Sequence, residues 1–252
     1  MRIVEVFPIK ALILAAGYAT RLYPLTKDTP KPLLTIAGKP IINYIVEELA
    51  KLQNLNQIYV ITNEVFYPHF QNWAKTIKTT KEIKILNDYT LSNEDRLGSI
   101  GDIHFVIQQE KIIDPLVVIA GDNLFGFSLP RFILFHHQNN NASLVAFRDL
   151  NDKEKVKGRY GVGVLNGSKI IDFEEKPLQP KSTLAATACY LFNKKDLSKI
   201  STFLSKEKAD APGNFIKYLA KNSEVHGFVF KEHWFDVGTF ESLEEAEQFY
   251  TK

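Results

Sequence analysis

The stretch that decides the fold, residues 12–34, reads LILAAGYATRLYPLTKDTPKPLL. It begins inside an apolar run, Lys10–Ala15, whose length and composition predict a buried parallel strand. Small residues follow this run, and four prolines between residues 16 and 40 exclude a continuous helix there. The stretch is therefore predicted to form a strand that leads into an irregular loop.

Strand-like and helix-like segments alternate from this strand to residue 142. Further strands are predicted at 57–62, 82–86 and 116–120, and helices at 41–52, 67–77 and 99–109. Such alternation with short loops predicts a mainly parallel sheet with helices on both faces. The first half of the chain thus has the pattern of a nucleotide-binding α/β unit.

The pattern changes after residue 142. Strands at 160–165 and 168–173 are joined by Asn166-Gly167, which is a strong hairpin signal. Further strands are predicted at 184–192 and 225–230, and helices near 194–204, 213–221 and 239–249. We expect one domain over residues 1–252, with a nucleotide-binding half at about 10–142. The half at about 143–252 adds antiparallel strands that could form a substrate pocket.

Composition excludes several classes of protein. The 252 residues are 45% hydrophobic, and 31 basic against 29 acidic side chains give a net charge of +2. Both signs are scattered, so no nucleic-acid partner is expected. One cysteine excludes an internal disulfide and a cysteine-rich metal site. No apolar run approaches the ~20 residues of a membrane span, and Met1–Pro8 lacks the features of a signal peptide. We expect a cytoplasmic protein with no membrane partner.

The loop after the first strand has the chemistry of a phosphate site. Its small residues, Ala15, Ala16, Gly17 and Ala19, would leave backbone N–H groups open to close approach. Arg21 and Lys31 add two cations that suit phosphate oxygens. Read without its neighbours, the same segment would more often be a plain glycine turn with two solvated basic residues.

This stretch resembles the signature of the sugar-1-phosphate nucleotidylyltransferases, L-A-G/A-G-x-G-T-R-L-x-P-L-T followed by P-K-P-L. The chain departs from the signature at Ala19, where the family often has glycine. Four further family landmarks occur in order between residues 97 and 239. They are LGSIG at 97–101, GDN at 121–123, FEEKP at 173–177 and WFDVGT at 234–239. The closest resemblance is to short members of the glucose-1-phosphate thymidylyltransferase type.

The resemblance implies a Rossmann-like, mainly parallel sheet flanked by helices, as in GT-A-type nucleotide-diphospho-sugar transferases, with antiparallel strands forming the sugar pocket. It also implies a reaction in which an NTP and a sugar 1-phosphate give an NDP-sugar and pyrophosphate. Two anions meet in this reaction, so cations and alignment must supply much of the acceleration. By resemblance, Arg21 holds the triphosphate, Lys31 contacts the reacting phosphates and Lys176 holds the sugar phosphate.

The resemblance further assigns residues that bind the two substrates. The nucleotide residues are the loop itself, a glycine beside the base and an aspartate: Leu14, Ala15, Ala16, Gly17, Tyr18, Ala19, Thr20, Gly98 and Asp122. The sugar residues are Gly161, Glu175, Lys176, Ala186 and Thr187. Without the resemblance, residues 174–176 would more often be a solvated charge cluster, and Ser99 could simply cap a helix that begins there.

Asp122 and Asp236 are the expected metal ligands. Asp122 directly follows the strand at 116–120, at the end where open α/β sheets bind ligands. Two carboxylates together with phosphate oxygens suit Mg²⁺, with Mn²⁺ as a substitute. Taken singly, Asp122 would more often be an ordinary turn residue, and Asp236 would be an ordinary residue as often as a ligand.

Substrate specificity stays open at this point. Glucose 1-phosphate with dTTP or UTP is favoured, but thymidylyltransferases read thymine with a glutamine, and none lies between Lys75 and Ile107. GTP or CTP, and mannose or N-acetylhexosamine 1-phosphates, remain alternatives. A non-catalytic regulator that binds NDP-sugars and a glycosyltransferase are the rival classes. A homodimer is also left open, and no C-terminal acyltransferase domain is expected because the chain stops after its closing helix.

A few conspicuous residues are expected to have ordinary roles. His136-His137 is expected at the surface end of a helix, where adjacent histidines do not share a face. Trp73 and Trp234 are expected in the core or in a pocket wall. Cys189 lies in an apolar strand and is expected to be a small buried hydrophobe.

Overall fold

The first predicted strand forms at Ile9–Leu14 (β1) in the computed structural model, between two parallel neighbours in a nine-stranded sheet. The structure describes residues 8–207 and 210–252. All of the Met1–Pro8 stretch except Pro8 lies outside these residues. Two short 3-10 turns, Thr20–Leu22 and Lys31–Leu33, interrupt the proline-rich loop after β1, in agreement with the absence of a helix there.

The other elements lie close to the predicted segments. The strands after β1 are Thr35–Ile36 (β2), Lys39–Pro40 (β3), Leu55–Thr62 (β4), Glu82–Asn87 (β5), Leu116–Ala120 (β6), Asn123–Phe125 (β7), Ser143–Asp149 (β8), Val162–Asn166 (β9), Lys169–Glu174 (β10), Leu184–Phe192 (β11), Val225–Phe230 (β12) and Trp234–Asp236 (β13). The helices are Ile41–Ala50 (α1), Tyr67–Thr76 (α2), Ser99–Glu110 (α3), Leu129–Gln138 (α4), Lys153–Val156 (α5), Lys194–Leu197 (α6), Ile200–Leu204 (α7), Pro212–Asn222 (α8) and Phe240–Thr251 (α9).

The main sheet has the order β5-β4-β1-β6-β11-β8-β12-β10-β9. Strands β5, β4, β1 and β6 are parallel, β8, β9 and β12 run in the same direction, and β10 and β11 run against them. This arrangement confirms a mainly parallel sheet with added antiparallel strands. Leu14 is in register with Ile61 and with Ala120, so β1, β4 and β6 end at one edge, where ligands bind in open α/β sheets.

Alternating side chains of β1 bury the two faces of the sheet. Ala11 and Ile13 point into a core formed with α1, α2 and α4, whereas Leu12 points into a second core formed with α3, α7 and α8. All three side chains are fully buried, and burial of one such aliphatic side chain as large as Leu12 contributes about 1.5–3 kcal/mol. Helices therefore cover both faces, and they leave the edge at which the strands end available for a site.

A small separate ribbon brings the late part of the chain to this edge. Strand β13 pairs antiparallel with β7, and Asp236 is opposite Asn123. Leu124 and Val237 pack with α9 in a third apolar cluster, which holds the ribbon in place. Helix α9 begins with a capping box in which Thr239 and Ser242 exchange hydrogen bonds. This ribbon is the reason that residues more than a hundred positions apart in the chain become neighbours.

Two local predictions are wrong. The hairpin between β9 and β10 forms, but Asn166 pairs with Lys169, so the two turn residues are Gly167 and Ser168 rather than Asn166 and Gly167. Gly167 has φ 58, a conformation that glycine adopts at little cost. Ser99 does not cap α3, because Gly98 occupies the cap position and no side chain caps that end.

The remaining expectations about single residues have mixed outcomes. Cys189 and Trp73 are buried, as expected. His136 is only 1% exposed, which contradicts the expected surface position, whereas His137 is partly exposed. Within residues 8–207 and 210–252, no helix combines the length and apolarity needed to cross a lipid bilayer.

Because His136 is buried, its charge should link stability to pH. Burial lowers the pKa of His136 from its ordinary 6.5 to about 4, and its Nδ1 is bonded to the Ala142 carbonyl at 2.8 Å. Between these two values the unfolded chain binds the proton more readily than the native protein does. The free energy of unfolding should therefore fall as pH decreases from 6.5 to 4, with a slope of the order of 1 kcal/mol per pH unit.

Urea denaturation of the parent and of His136→Gln at several pH values would measure this slope. His137→Gln, one position along the same helix, is the matched control. The slope should be smaller in the His136 variant and unchanged in the control. Equal slopes in all three proteins would contradict the assignment.

Candidate active site

The loop after β1 presents a run of backbone N–H groups. In the part of the chain that the structure describes, no hydrogen-bond acceptor reaches the N–H groups of residues 16–21. A Cβ built on Gly17 would meet no atom within 4 Å. Ala15 was expected to belong to this open set, but its N–H donates to the Ile61 carbonyl at 2.9 Å and is part of the sheet. The open donors begin one residue later and form a concavity suited to an anion.

Three side chains that the sequence analysis did not single out hold this loop. Asn63, at the end of β4, donates to the Ala16 carbonyl at 3.0 Å. Thr26 donates to the Ala19 carbonyl at 2.8 Å, and the hydroxyl groups of Tyr18 and Thr90 are 3.4 Å apart. Ala19 itself has φ 49, a left-handed conformation that favours glycine and agrees with the glycine at this position of the family signature.

A lysine and an aspartate meet at the end of β6. The Lys31 ammonium forms a short ion pair with Asp122 Oδ2, and both side chains are largely buried. The 3-10 turn at Lys31–Leu33 brings the lysine there, because Pro32 packs where a Cβ on Gly121 would lie, 2.9 Å from Pro32 Cγ. Glycine at 121 is therefore required for this approach.

The second carboxylate, Asp236, is beside the first. Its strand β13 pairs with β7, and the Val237 N–H donates to the Asp122 carbonyl at 3.0 Å. A Cβ on Gly238 would lie 3.7 Å from Arg21 Nη2 and 3.8 Å from Asp236 Oδ1, so the guanidinium group faces the same turn. The structure thus brings together Arg21, Lys31, Asp122 and Asp236.

The pKa values of the two carboxylates are shifted in opposite directions. Burial raises the pKa of Asp236, and the negative Asp122 adds to this effect, giving a value of about 6; Lys31, Arg21 and Lys176 oppose the rise. Burial also acts on Asp122, but its contact with Lys31 outweighs burial and lowers the pKa of Asp122. Asp122 is therefore an anion near neutral pH, and a nearby positive charge would favour the anionic form of Asp236.

A chain of hydrogen bonds orients Asp122. The buried Asn123 side chain donates to Asp122 Oδ1 at 2.8 Å, and the Trp234 indole N–H donates to Asn123 Oδ1 at 2.7 Å. Trp234 is partly buried and stacks edge-on against Tyr160, with ring centroids 4.9 Å apart. Trp234 therefore packs at the margin of the apolar core, in agreement with the expected core position, and has in addition a positioning contact that the sequence did not indicate.

The residues expected to bind the sugar cluster beside these charges. Lys176 follows β10 with φ 46, a strained conformation for lysine, and its N–H donates to the Tyr160 carbonyl at 3.2 Å. The Gly161 carbonyl accepts from the Ala186 N–H at 2.8 Å. The half-buried Glu175 lies against Gly161, and burial raises its pKa while Lys176 opposes the rise.

Thr187 and Gly98 are two further residues expected to bind the substrates. The Thr187 hydroxyl is buried and donates to the Ala146 carbonyl at 3.0 Å, so its side chain is already engaged. Gly98 has φ 76 and directly precedes α3. Burial raises the pKa values of Asp88 and Asp102; the contact between the two carboxyl groups raises the pKa of Asp102 further and acts against the rise at Asp88. This buried carboxyl pair ties the end of β5 to the first turn of α3.

These features form a site at the carboxyl edge of the sheet whose chemistry suits phosphate esters. It combines open backbone donors, three cations and two carboxylates, which together can hold polyanionic substrates and stabilise charge that develops on phosphate oxygens. No group of three or more His, Cys, Asp or Glu side chains in the described ranges could enclose a metal ion. Two adjacent carboxylates nevertheless fit Mg²⁺, which usually takes one or two carboxylates together with water and substrate phosphates.

Comparison with known proteins agrees with this class. Residues 10–252 match the family model described as nucleotidyl transferase, and the chain belongs to this family. A protein of Sulfolobus acidocaldarius named as a mannose-1-phosphate guanyltransferase is 30% identical over 91% of the chain. The bifunctional protein GlmU of Methanocaldococcus jannaschii is 32% identical over 95% of the chain. The chain spans 60% and 53% of the lengths of these two relatives.

A solved structure supports the same fold. It is described as a glucose-1-phosphate thymidylyltransferase of Bacillus anthracis in complex with sucrose, and it is 26% identical to the chain with a TM-score of 0.79. The match covers 97% of this chain and 96% of that one. The nucleotide-diphospho-sugar transferase fold expected from the sequence is thus confirmed.

Removal of the Trp234 indole N–H should leave a buried acceptor without a partner. Trp234→Phe is expected to lower the free energy of unfolding by about 1–3 kcal/mol, since Asn123 Oδ1 is buried. Trp73→Phe is a matched control, because its indole also donates to an asparagine, Asn43, at 2.7 Å, but away from Asp122.

Urea denaturation would measure the stability of both variants. Each should be less stable than the parent, but only Trp234→Phe should also lose turnover in a reaction that uses Asp122. A Trp234 variant with the stability and activity of the parent would show that the hydrogen-bond chain has no such role.

Proposed function

We propose that the protein transfers a nucleotidyl group from an NTP to a sugar 1-phosphate, giving an NDP-sugar and pyrophosphate. The observation that carries this proposal is the meeting of the open N–H groups of residues 16–21 with Lys31, Asp122 and Asp236 at one edge of the sheet. A triphosphate needs both the donors and the cations. The adjacent sugar cluster supplies a place for the second substrate.

In the proposed reaction an oxygen of the sugar phosphate attacks the α-phosphorus of the NTP. The new P–O bond forms opposite the bond that breaks, and pyrophosphate leaves with the electron pair. Arg21 and the backbone donors bind the β- and γ-phosphates and stabilise the charge of the leaving group. Lys31 stabilises the α-phosphate, and Lys176 holds the sugar phosphate in line.

We also propose that Asp122 and Asp236 hold Mg²⁺, with Mn²⁺ as a substitute. A bound divalent cation would polarise phosphate oxygens and offset their negative charge. Asn123 and Trp234 keep Asp122 oriented toward this position. Lys31 is paired with Asp122. Phosphate oxygens of a bound NTP would give Lys31 a second anionic partner.

Glucose 1-phosphate with dTTP or UTP is the substrate pair that we favour, on the basis of the resemblance and the B. anthracis structure. GTP with mannose 1-phosphate is the strongest alternative, because the S. acidocaldarius relative is named for that pair. Asn87, at the end of β5, is an amide upstream of Gly98, but its side chain is bonded to Glu64 and to the Tyr89 N–H. Base recognition would therefore depend more on backbone groups.

A grid of substrates tests the function directly. Pyrophosphate release would be measured with Mg²⁺ for five nucleotides (dTTP, UTP, GTP, CTP and ATP) against glucose, mannose and N-acetylglucosamine 1-phosphates. We expect one pair to dominate and EDTA to abolish its turnover. Undiminished activity in EDTA would contradict the metal assignment.

The same assay separates the rival classes. An inert wild type that still binds an NDP-sugar would favour a regulator, and transfer of sugar from an NDP-sugar without pyrophosphate release would favour a glycosyltransferase. Loss of turnover in Asp122→Asn with nucleotide binding retained would support the enzyme.

Arg21 and Lys31 should contribute far more to turnover than Lys27, which lies in the same loop. Arg21→Ala and Lys31→Ala are each expected to lower turnover by ~10²-fold or more, as for other lost transition-state charge contacts. Lys27→Ala, an exposed lysine of the same loop, is the control and should change turnover little. Turnover within about threefold of wild type in either test variant, by the pyrophosphate assay, would rule out the proposed role of that residue.

A further inference from the structure

The carboxylate of Glu175 is positioned by packing against neighbouring residues and not by hydrogen bonds. No hydrogen bond or ion pair joins it to any residue in the ranges 8–207 and 210–252. It is nevertheless half-buried, and Lys176 is the cation that acts on it. A carboxylate accepts hydrogen bonds and cannot donate them, and no donor among the described residues sets the orientation of this one, so packing must constrain its orientation.

That constraint consists of two glycines on separate elements. A Cβ on Gly213, in the first turn of α8, would lie 1.8 Å from Glu175 Oε2 and 2.8 Å from Phe173 Cε1. A Cβ on Gly161, before β9, would lie 3.1 Å from Glu175 Oε2 and 2.5 Å from Phe173 Cζ. The end of β10 therefore passes between the two glycines, and Glu175 occupies the space that a side chain at 213 would fill.

Gly213 has no backbone requirement for glycine. Its φ is not in the left-handed region, and it lies inside a helix, where glycine is less favourable than alanine by up to about 1 kcal/mol. Gly213 also lies outside all the motifs that indicated the site. The contact with Glu175 and Phe173 is thus the physical reason for glycine at this position.

We propose that Gly213 is a positioning residue for the sugar 1-phosphate, and this rests on the proposed function. It leaves the space that fixes Glu175 with its free acceptor oxygens directed toward the hydroxyl groups of a hexose. A methyl group at 213 would push the carboxylate into the pocket, where it would exclude part of the sugar. The three atoms nearest to a Cβ on Gly213 belong to Glu175 and Phe173, and none of them belongs to β1, β6 or β13.

Steady-state kinetics of Gly213→Ala test this proposal, with the best substrate pair from the grid. The KM for the sugar 1-phosphate should rise about tenfold or more, because the displaced carboxylate loses its hydrogen-bond geometry to the sugar and occupies part of its space. The KM for the NTP should change by less than about threefold. Asn214→Ala is the matched control, because Asn214 is exposed in the same helical turn and should leave both constants unchanged.

A compensating substitution at Glu175 tests whether the contact with residue 213 causes the effect. Glu175→Asp shortens the side chain and leaves room for a methyl group at 213. Glu175→Asp alone should weaken sugar binding, but in the Gly213→Ala background it should raise the melting temperature and cause no further loss of sugar affinity. If Gly213→Ala fails to fold, recovery of soluble protein in the double variant is the corresponding supporting result.

The outcomes distinguish this inference from the proposed function. Absence of turnover in the wild type over the whole grid would contradict the proposed function and the inference with it. An active wild type with an unchanged sugar KM in Gly213→Ala would overturn the inference alone. Equal rises in both KM values, or a double variant no better than the single one, would also overturn it, because they indicate only a structural role.

Discussion

The hydrogen bond from the Gly121 N–H to the Leu14 carbonyl, 2.8 Å long, is the contact on which the site depends. It fixes the exit of β1 beside the exit of β6. Pro32 also packs against Gly121, so the loop that begins after Leu14 returns to the same point. The open N–H groups, Lys31 and Asp122 all lie within this junction. Any side chain at 121 would separate the three segments.

The electrostatics of the site follow from this crowding. Lys31, Arg21 and Lys176 lie near two carboxylates that burial would otherwise neutralise. Asp122 pairs with Lys31 and remains charged, whereas the pKa of Asp236 stays at an intermediate value of about 6. The site is therefore neither a simple cation pocket nor a simple anion pocket. It suits ligands that bring both signs, such as a nucleotide with a divalent cation.

Sequence patterns predicted well whatever depends on local order. The predicted bounds of β6, β11 and β12 agree with those in the structure, because strands buried on both faces appear in the sequence as largely apolar runs. Patterns failed where a tertiary contact decides, as for the Trp234 bond to Asn123, which depends on the ribbon with β7. They also failed at His136, whose side chain turns back to the Ala142 carbonyl just beyond α4. The family signature indicated the charged residues. It could not indicate Gly213, because glycine is needed there only for a tertiary contact with Glu175 and Phe173.

The ribbon of β7 and β13 has a consequence for the order of folding. One of its strands follows β6 directly, and the other is made only after most of the chain has been synthesised. A growing chain could form β1, β4, β6 and the phosphate loop early and still lack the second carboxylate. Long-range pairings of this kind cost loop entropy and tend to form late. The site would thus be completed in a late step, and partly folded forms would have the open N–H groups without their full set of charges.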